Sequence, residues 1–289
     1  MNKIIQSMRI HAWSLAFAIW LVATGLFISP LLSEALGIEG YYSSILLMVL
    51  LYIPFCIAYP LVNEKTPIKP YRFKLSSKQD FVWAMVIGVA ISVVGIFIFL
   101  TPWSSLDIID NRIVPYPLWV LFLGTGLFIS IVDELFLRDA LHSDYRGQGV
   151  SIGHAAAAIA IISTIPHSGG PLLNLLFMIG LRFMWVFTIH FTKSILPAIL
   201  QHIIINVAII VFFSQVFSFE NMNVLRIIFG VLSAFAVVAI YLGLKSMKAN
   251  HAKDHPEDLI ETPKKSFWQV FNWLFWVFVA LLIFMQFIF

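Results

Sequence analysis

The chain has 289 residues, 60% of them hydrophobic and 11% charged, with a formal net charge of +3. Soluble domains carry about 25% charged residues, so this composition excludes a soluble enzyme and requires a polytopic membrane protein. The small positive balance gives no ground for nucleic-acid binding, because the basic residues lie between apolar runs, where they set topology. Cys56 is the only cysteine, which excludes an intramolecular disulfide and a thiolate metal cluster.

A helix needs about 20 apolar residues to cross the hydrocarbon core. In chain order, apolar runs predict spans near 10–29, 43–63, 82–101, 117–137, 153–167, 171–190, 195–215, 223–244 and 267–289. The fold class is therefore all-α, a polytopic helical bundle of about eight or nine spans. The first run ends at SPLLSEALG without a small-x-small cleavage site, so it is expected to remain as a transmembrane helix. Pro30, Pro102 and Pro115 are expected to mark span ends, whereas Pro54, Pro60 and Pro197 fall inside spans, where they can kink them. The organisation expected is N-terminal transmembrane helices over 1–116, a core over 117–215, an additional core helix over 216–245, a polar linker over 246–266 and a last helix over 267–289. That last helix carries no ionisable residue and reads as an appendage.

Charge alternates between the loops. Lys3 and Arg9, then Lys65, Lys69, Arg72, Lys74 and Lys78, then Arg138 and Arg146, then Lys193, and finally Lys245, Lys248, Lys253, Lys264 and Lys265 occupy one set. The other set carries mainly Glu34, Glu39, Asp107, Asp110, Arg112 and Glu220. The positive-inside rule then predicts an integral plasma-membrane protein with a cytoplasmic N-terminus and an external C-terminus.

Three polar clusters interrupt the apolar spans: Asp133-Glu134 with Arg138, His167, and His202 with Asn206. Ionisable groups at membrane depth are costly, and their default reading is a functional site. Two carboxylates, an arginine, two histidines and an asparagine also suit a hydrolytic centre. If the fourth helix continues to about Arg146, Glu134 lies ~18 Å from that end at 1.5 Å per residue. His167 lies ~20 Å from the same side, and His202 and Asn206 ~12 and ~18 Å. Glu134 and Arg138 are spaced i,i+4, as are His202 and Asn206, which places each pair on one helical face. A common depth favours one site over unrelated interhelical contacts. The other histidines, His11, His142, His154, His190, His251 and His255, fall at span ends or in the linker and are expected to be interfacial or solvated.

The three clusters resemble the signature of the CPBP family of intramembrane proteases, also called Abi, which includes type II CAAX prenyl endopeptidases. That signature is Glu-Glu-x-x-x-Arg, Phe-x-x-x-His and His-x-x-x-Asn. Here it is matched by Asp133-Glu134-x-x-x-Arg138, Ser163-x-x-x-His167 and His202-x-x-x-Asn206, so that Asp133 replaces a Glu and Ser163 a Phe. The resemblance covers about residues 117–215. It implies that Asp133 and His167 activate water, that His202 and Asn206 stabilise the oxyanion, and that Glu134 and Arg138 hold the geometry. It implies a glutamic-type endopeptidase without a cofactor, acting near the cytoplasmic face on a membrane-associated peptide or protein.

Two alternatives stand beside that reading. One is a non-proteolytic relative that binds a membrane-protein partner, as in bacteriocin immunity. The other is a zinc metallopeptidase with Glu134, His167 and His202 as ligands, since two His and a carboxylate form a catalytic zinc set. The topology carries its own test. With Cys56→Ser as background, Lys74→Cys and Lys253→Cys are expected to escape a membrane-impermeant thiol reagent in intact cells, and labelling of both overturns the assignment.

Overall fold

The computed structural model describes residues 9–38, 40–62, 73, 77–101, 117–164, 172–216, 221–255, 265–273, 275–277 and 279–280. His167, Lys65, Lys69, Arg72, Lys74, the stretch 256–264 and residues 281–289 lie outside them. Among the described residues there is no strand, and the elements are α1 (Ala12–Leu36), α2 (Tyr41–Val62), α3 (Lys78–Leu100), α4 (Leu118–Gly147), α5 (Ile152–Thr164), α6 (Leu172–Thr192), α7 (Leu196–Val216), α8 (Met222–Asp254) and the short α9 (Phe267–Val270). Six of them, α1, α3, α4, α6, α7 and α8, are long and apolar enough to cross a membrane. Shorter apolar stretches run over Ile45–Tyr59 in α2 and along α5.

Local chemistry sets the helix ends. Ser77 caps α3 by accepting the Asp80 amide at 3.0 Å, and Asn221 caps α8 by accepting the Val224 amide at 3.3 Å. Such caps satisfy donors that have no partner within the helix. Gly37 ends α1 in the left-handed conformation, at φ 62°, where a side chain is penalised. Pro30 does not end the first span as expected. A wide π turn over Thr24–Ile28 directly precedes it, and a widened turn accommodates a residue without an N–H. Pro197 is the second residue of α7 rather than an interior one, so it costs no helical hydrogen bond.

The helices form two packed groups. One combines α1, α2, α4, α5 and the C-terminal segment around Phe17, Phe55, Phe136 and Ile159. The other combines α3, α6, α7 and α8 around Ile87, Trp185, Ile199 and Met247. Lipid offers no hydrophobic drive for helices to associate, so close approach through small residues matters more than apolarity. A Cβ on Gly243 of α8 would come within 2.8 Å of Ile87 Cδ1 on α3, and one on Gly88 of α3 within 3.2 Å of the Gln201 backbone on α7.

Two expectations are corrected. The C-terminal segment is not an appendage: Val270, Phe271, Phe275 and Val279 are buried in the first group. His11 Nε2 donates to the Val270 carbonyl at 2.7 Å, and His11 Nδ1 accepts from the Tyr145 hydroxyl at 3.1 Å. His11, His142, His190 and His251 are likewise buried rather than solvated. For His190 and His251 the reason is that α8 continues unbroken to Asp254, through residues 244–254, which include neither Gly nor Pro. It brings His251 against His190 of α6, with ring centroids 4.9 Å apart.

At one end of the bundle His11 meets Tyr145 and Val270, His154 meets Phe267 and Phe271, and His190, near the end of α6, meets His142 and His251. Arg9, Lys78, Arg146, Lys193 and Lys253 stand within a few residues of the helix ends that converge there, and Lys245 and Lys248 lie in the last turns of α8. Gly243→Leu is expected to lower the thermal unfolding temperature, because Ile87 and Trp83 must give way and overpacking costs about 1–3 kcal/mol. Gly180→Leu, whose Cβ meets open space, is the control expected to leave it unchanged.

Candidate active site

The site is built on α4, which is not a regular helix. It contains two π-helical stretches, Phe122–Ile129 and Glu134–Ala140. Wide turns of this kind are rare and occur mostly where a side chain must be re-aimed. The second stretch brings residues five apart onto one face. Arg138 therefore donates to the Asp133 carboxylate, five residues back, and still reaches Glu134 Oε1 at 3.4 Å. Both adjacent carboxylates thus converge on a single guanidinium, whereas i,i+4 geometry alone would have favoured Glu134. All three side chains are buried: Arg138 and Glu134 are 0% exposed and Asp133 3%. Trp185 covers Arg138, and Tyr52 of α2 lies against Asp133.

His202 of α7 enters from the opposite side. Its Nδ1 donates to Glu134 Oε1 at 2.8 Å and lies 3.9 Å from Asp133 Oδ2. Trp185 of α6 stacks on its ring at a centroid distance of 4.2 Å. The same indole carries the Arg138 guanidinium 5.1 Å from its centroid, a separation at which cation–π attraction acts. Trp185 therefore contacts both the arginine and the histidine. It holds the imidazole plane without competing for its nitrogens.

Asn206, one turn beyond His202, is engaged elsewhere. Its Nδ2 donates to the Thr125 carbonyl and to Ser130 Oγ, each at 3.0 Å. The first π stretch of α4 frees carbonyls along its side, and Ser130 Oγ takes another of them, Gly126 O, at 2.8 Å. Both amide hydrogens of Asn206 are thus used to lock α7 onto α4. The backbones approach closely there, with a Cβ on Gly126 only 3.3 Å from Val207 Cγ2.

Sequence reasoning missed Arg182, Trp185 and Tyr52. Arg182 met the criterion applied to the three clusters, since it is an ionisable residue inside an apolar span. It is buried, donates to the Ser163 carbonyl in the last turn of α5, and interacts electrostatically with Asp133, Glu134 and Arg138. Two carboxylates are thereby matched by two guanidiniums, which buried charge requires. Trp185 and Tyr52 carry no such signal, because aromatic residues are common in membrane spans.

Asp133, Glu134 and His202 each offer one ligand atom, all within 4.8 Å of one another. A divalent cation bound there would have to displace Arg138, which already neutralises the carboxylates. Glu134 Oε2, by contrast, has no hydrogen-bond partner among the described residues. A buried acceptor of this kind is suited to a transient donor such as water.

Residues 115–208 match the family described as type II CAAX prenyl endopeptidase Rce1-like. The match runs from just before α4 through His202 and Asn206, and it supports a CAAX-protease-like family for this part of the chain. No curated protein and no solved structure matches the chain. Arg138→Ala is expected to destabilise the bundle by about 3–5 kcal/mol, because it leaves two buried carboxylates with only the Arg182 guanidinium to balance them. Asn206→Leu should cost only about 1–2 kcal/mol, the range of interhelical hydrogen bonds in membranes. Thermal unfolding in detergent measures both, and equal effects would contradict the charge argument.

Proposed function

We propose that this protein is a glutamic-type, metal-independent intramembrane endopeptidase. It hydrolyses a peptide bond in a membrane-associated peptide near the cytoplasmic face, with prenylated CAAX peptides as the substrate class. The observation that carries the reading is the 2.8 Å contact between Glu134 and His202 in a buried, charge-balanced site, within a segment matching a CAAX endopeptidase family.

With Nδ1–H donated to a carboxylate, a neutral His202 presents the Nε2 lone pair. It can take a proton from water while Glu134 stabilises the resulting imidazolium, and then return that proton to the leaving amine. The resemblance assigns water activation to Asp133 with His167 and the oxyanion to His202 with Asn206. The contacts favour a different division. Asp133 is held by Arg138, and both Asn206 hydrogens are used between helices. Glu134 with His202 is therefore the pair free to handle protons, and Asp133 and Arg138 set its position. If a dication replaces Arg138 against Asp133, Glu134 and His202, the same residues serve a metallopeptidase. A partner-binding relative without proteolysis would need none of this chemistry.

Cleavage of a farnesylated CAAX peptide in proteoliposomes, at matched protein abundance, separates these readings. Glu134→Gln is expected to reduce the rate by about 10²–10⁴, the usual worth of a general acid–base group. Asp133→Glu, which restores the family residue, is expected to retain cleavage. Chelation should leave activity unchanged. Near-equimolar zinc lost together with activity would move the reading to a metallopeptidase, and absence of cleavage in the parent protein would favour the partner-binding relative.

A further inference from the structure

Away from the site, α3, α6 and α8 enclose an apolar groove of about 760 Å³. Its walls are formed by residues such as Val94, Phe177, Phe187 and Leu244. Leu176 and Phe191 mark its extent along α6, a distance of ~22 Å at the helical rise. This exceeds the ~15 Å hydrocarbon depth of one leaflet. The volume lies in the range of ligand pockets, about 300–1,000 Å³.

One end of the groove has a different character. Lys245 and Lys248 line it there, next to Tyr241 and Leu244. Tyr241, Lys245 and Lys248 stand at i, i+4 and i+7 on α8, which places them on one face. Their neighbours on the other faces are engaged in packing: Ser246 accepts from Gln79 of α3, and Met247 is buried. Two ammonium groups and a phenol thus close a long apolar slot, at the end of the bundle that collects the basic residues. A basic pocket between transmembrane helices, continuous with an apolar groove, has the chemistry that receives an anionic lipid headgroup. The floor is also open to a chain, because a Cβ on Gly180 would meet nothing within 4 Å.

We propose that this groove is a binding site for one anionic phospholipid. An acyl chain lies along α6, and the phosphate sits between Lys245 and Lys248. Neither residue belongs to the active site, so this site stands or falls independently of the proposed proteolysis.

The test is native mass spectrometry of the purified full-length protein in detergent, titrated with phosphatidylglycerol, with phosphatidylcholine of the same chains, and with soluble glycerol phosphate. The wild type is expected to retain one phosphatidylglycerol at least about tenfold more tightly than phosphatidylcholine, the scale expected for two lysines near a headgroup. Lys245→Ala with Lys248→Ala should abolish that preference. Gly180→Leu should weaken binding of both lipids severalfold by filling the slot, with the thermal transition unchanged as the control for folding. If Gly180→Leu unfolds the protein, Leu176→Trp, at the opposite end of the slot, takes its place. Equal retention of the two lipids by the wild type overturns the proposal. So does a preference that survives loss of both lysines, or one that is lost with the lysines but indifferent to filling the groove, which indicates diffuse attraction only. Displacement of the lipid by glycerol phosphate alone at equal concentration indicates a phosphate site without a chain, and overturns it as well.

Discussion

Two adjacent carboxylates held by one guanidinium inside a membrane bundle are the constraint on which the rest of this structure depends. Asp133 and Glu134 are neighbours in sequence, and in a regular α-helix they would diverge by about 100°. Arg138 can serve both only because α4 widens into π-helical turns at that point. A planar guanidinium with five donors suits this task where a lysine ammonium would not. The other widened stretch of α4, Phe122–Ile129, has its own cost in backbone hydrogen bonding, met in part by Ser130 and Asn206, which take up the Gly126 and Thr125 carbonyls.

From that clamp the surrounding helices follow. Glu134 orients His202, Trp185 stacks beneath His202 and Arg138 together, and Arg182 supplies the second positive charge while tying α5 to α6. Each of these contacts joins a different pair of helices. The polar site is therefore also a joint between the two packed groups, one around α4 and the other around α6 and α7. In a bilayer, where apolar faces gain little by meeting each other, such polar joints and small-residue contacts supply much of the specificity of assembly.

The bundle is polar along its length. Its basic end gathers lysines, buried histidines and the returning C-terminal segment, whose Val270 carbonyl binds His11 across most of the chain's length. The long α8 shapes this end. Its apolar part packs against α3, and its last turns reach past the apolar length to cover His190 with His251. The groove lined by Lys245 and Lys248 lies between α8, α6 and α3.

The membrane character and the helical class were legible in the sequence, and so were the polar clusters holding Asp133, Glu134, Arg138 and His202, because charge in an apolar span is costly and therefore rare enough to stand out. Common depth was enough to bring Glu134 and His202 together on paper, since helical rise is nearly constant. The pairing within the site was not legible. Periodicity assigns Arg138 to Glu134, and only the wide turn, which packs against α2 and α6, gives it Asp133 as well. Arg182 carried the same signal as its partners, but its role became visible only when folding placed it beside them. Trp185, Tyr52 and the buried histidines carried none, because an aromatic ring or an imidazole at a span end has the same sequence signature whether it faces lipid, water or another helix. Their environment is decided by the neighbour that packs on them, and that neighbour is a property of the tertiary structure.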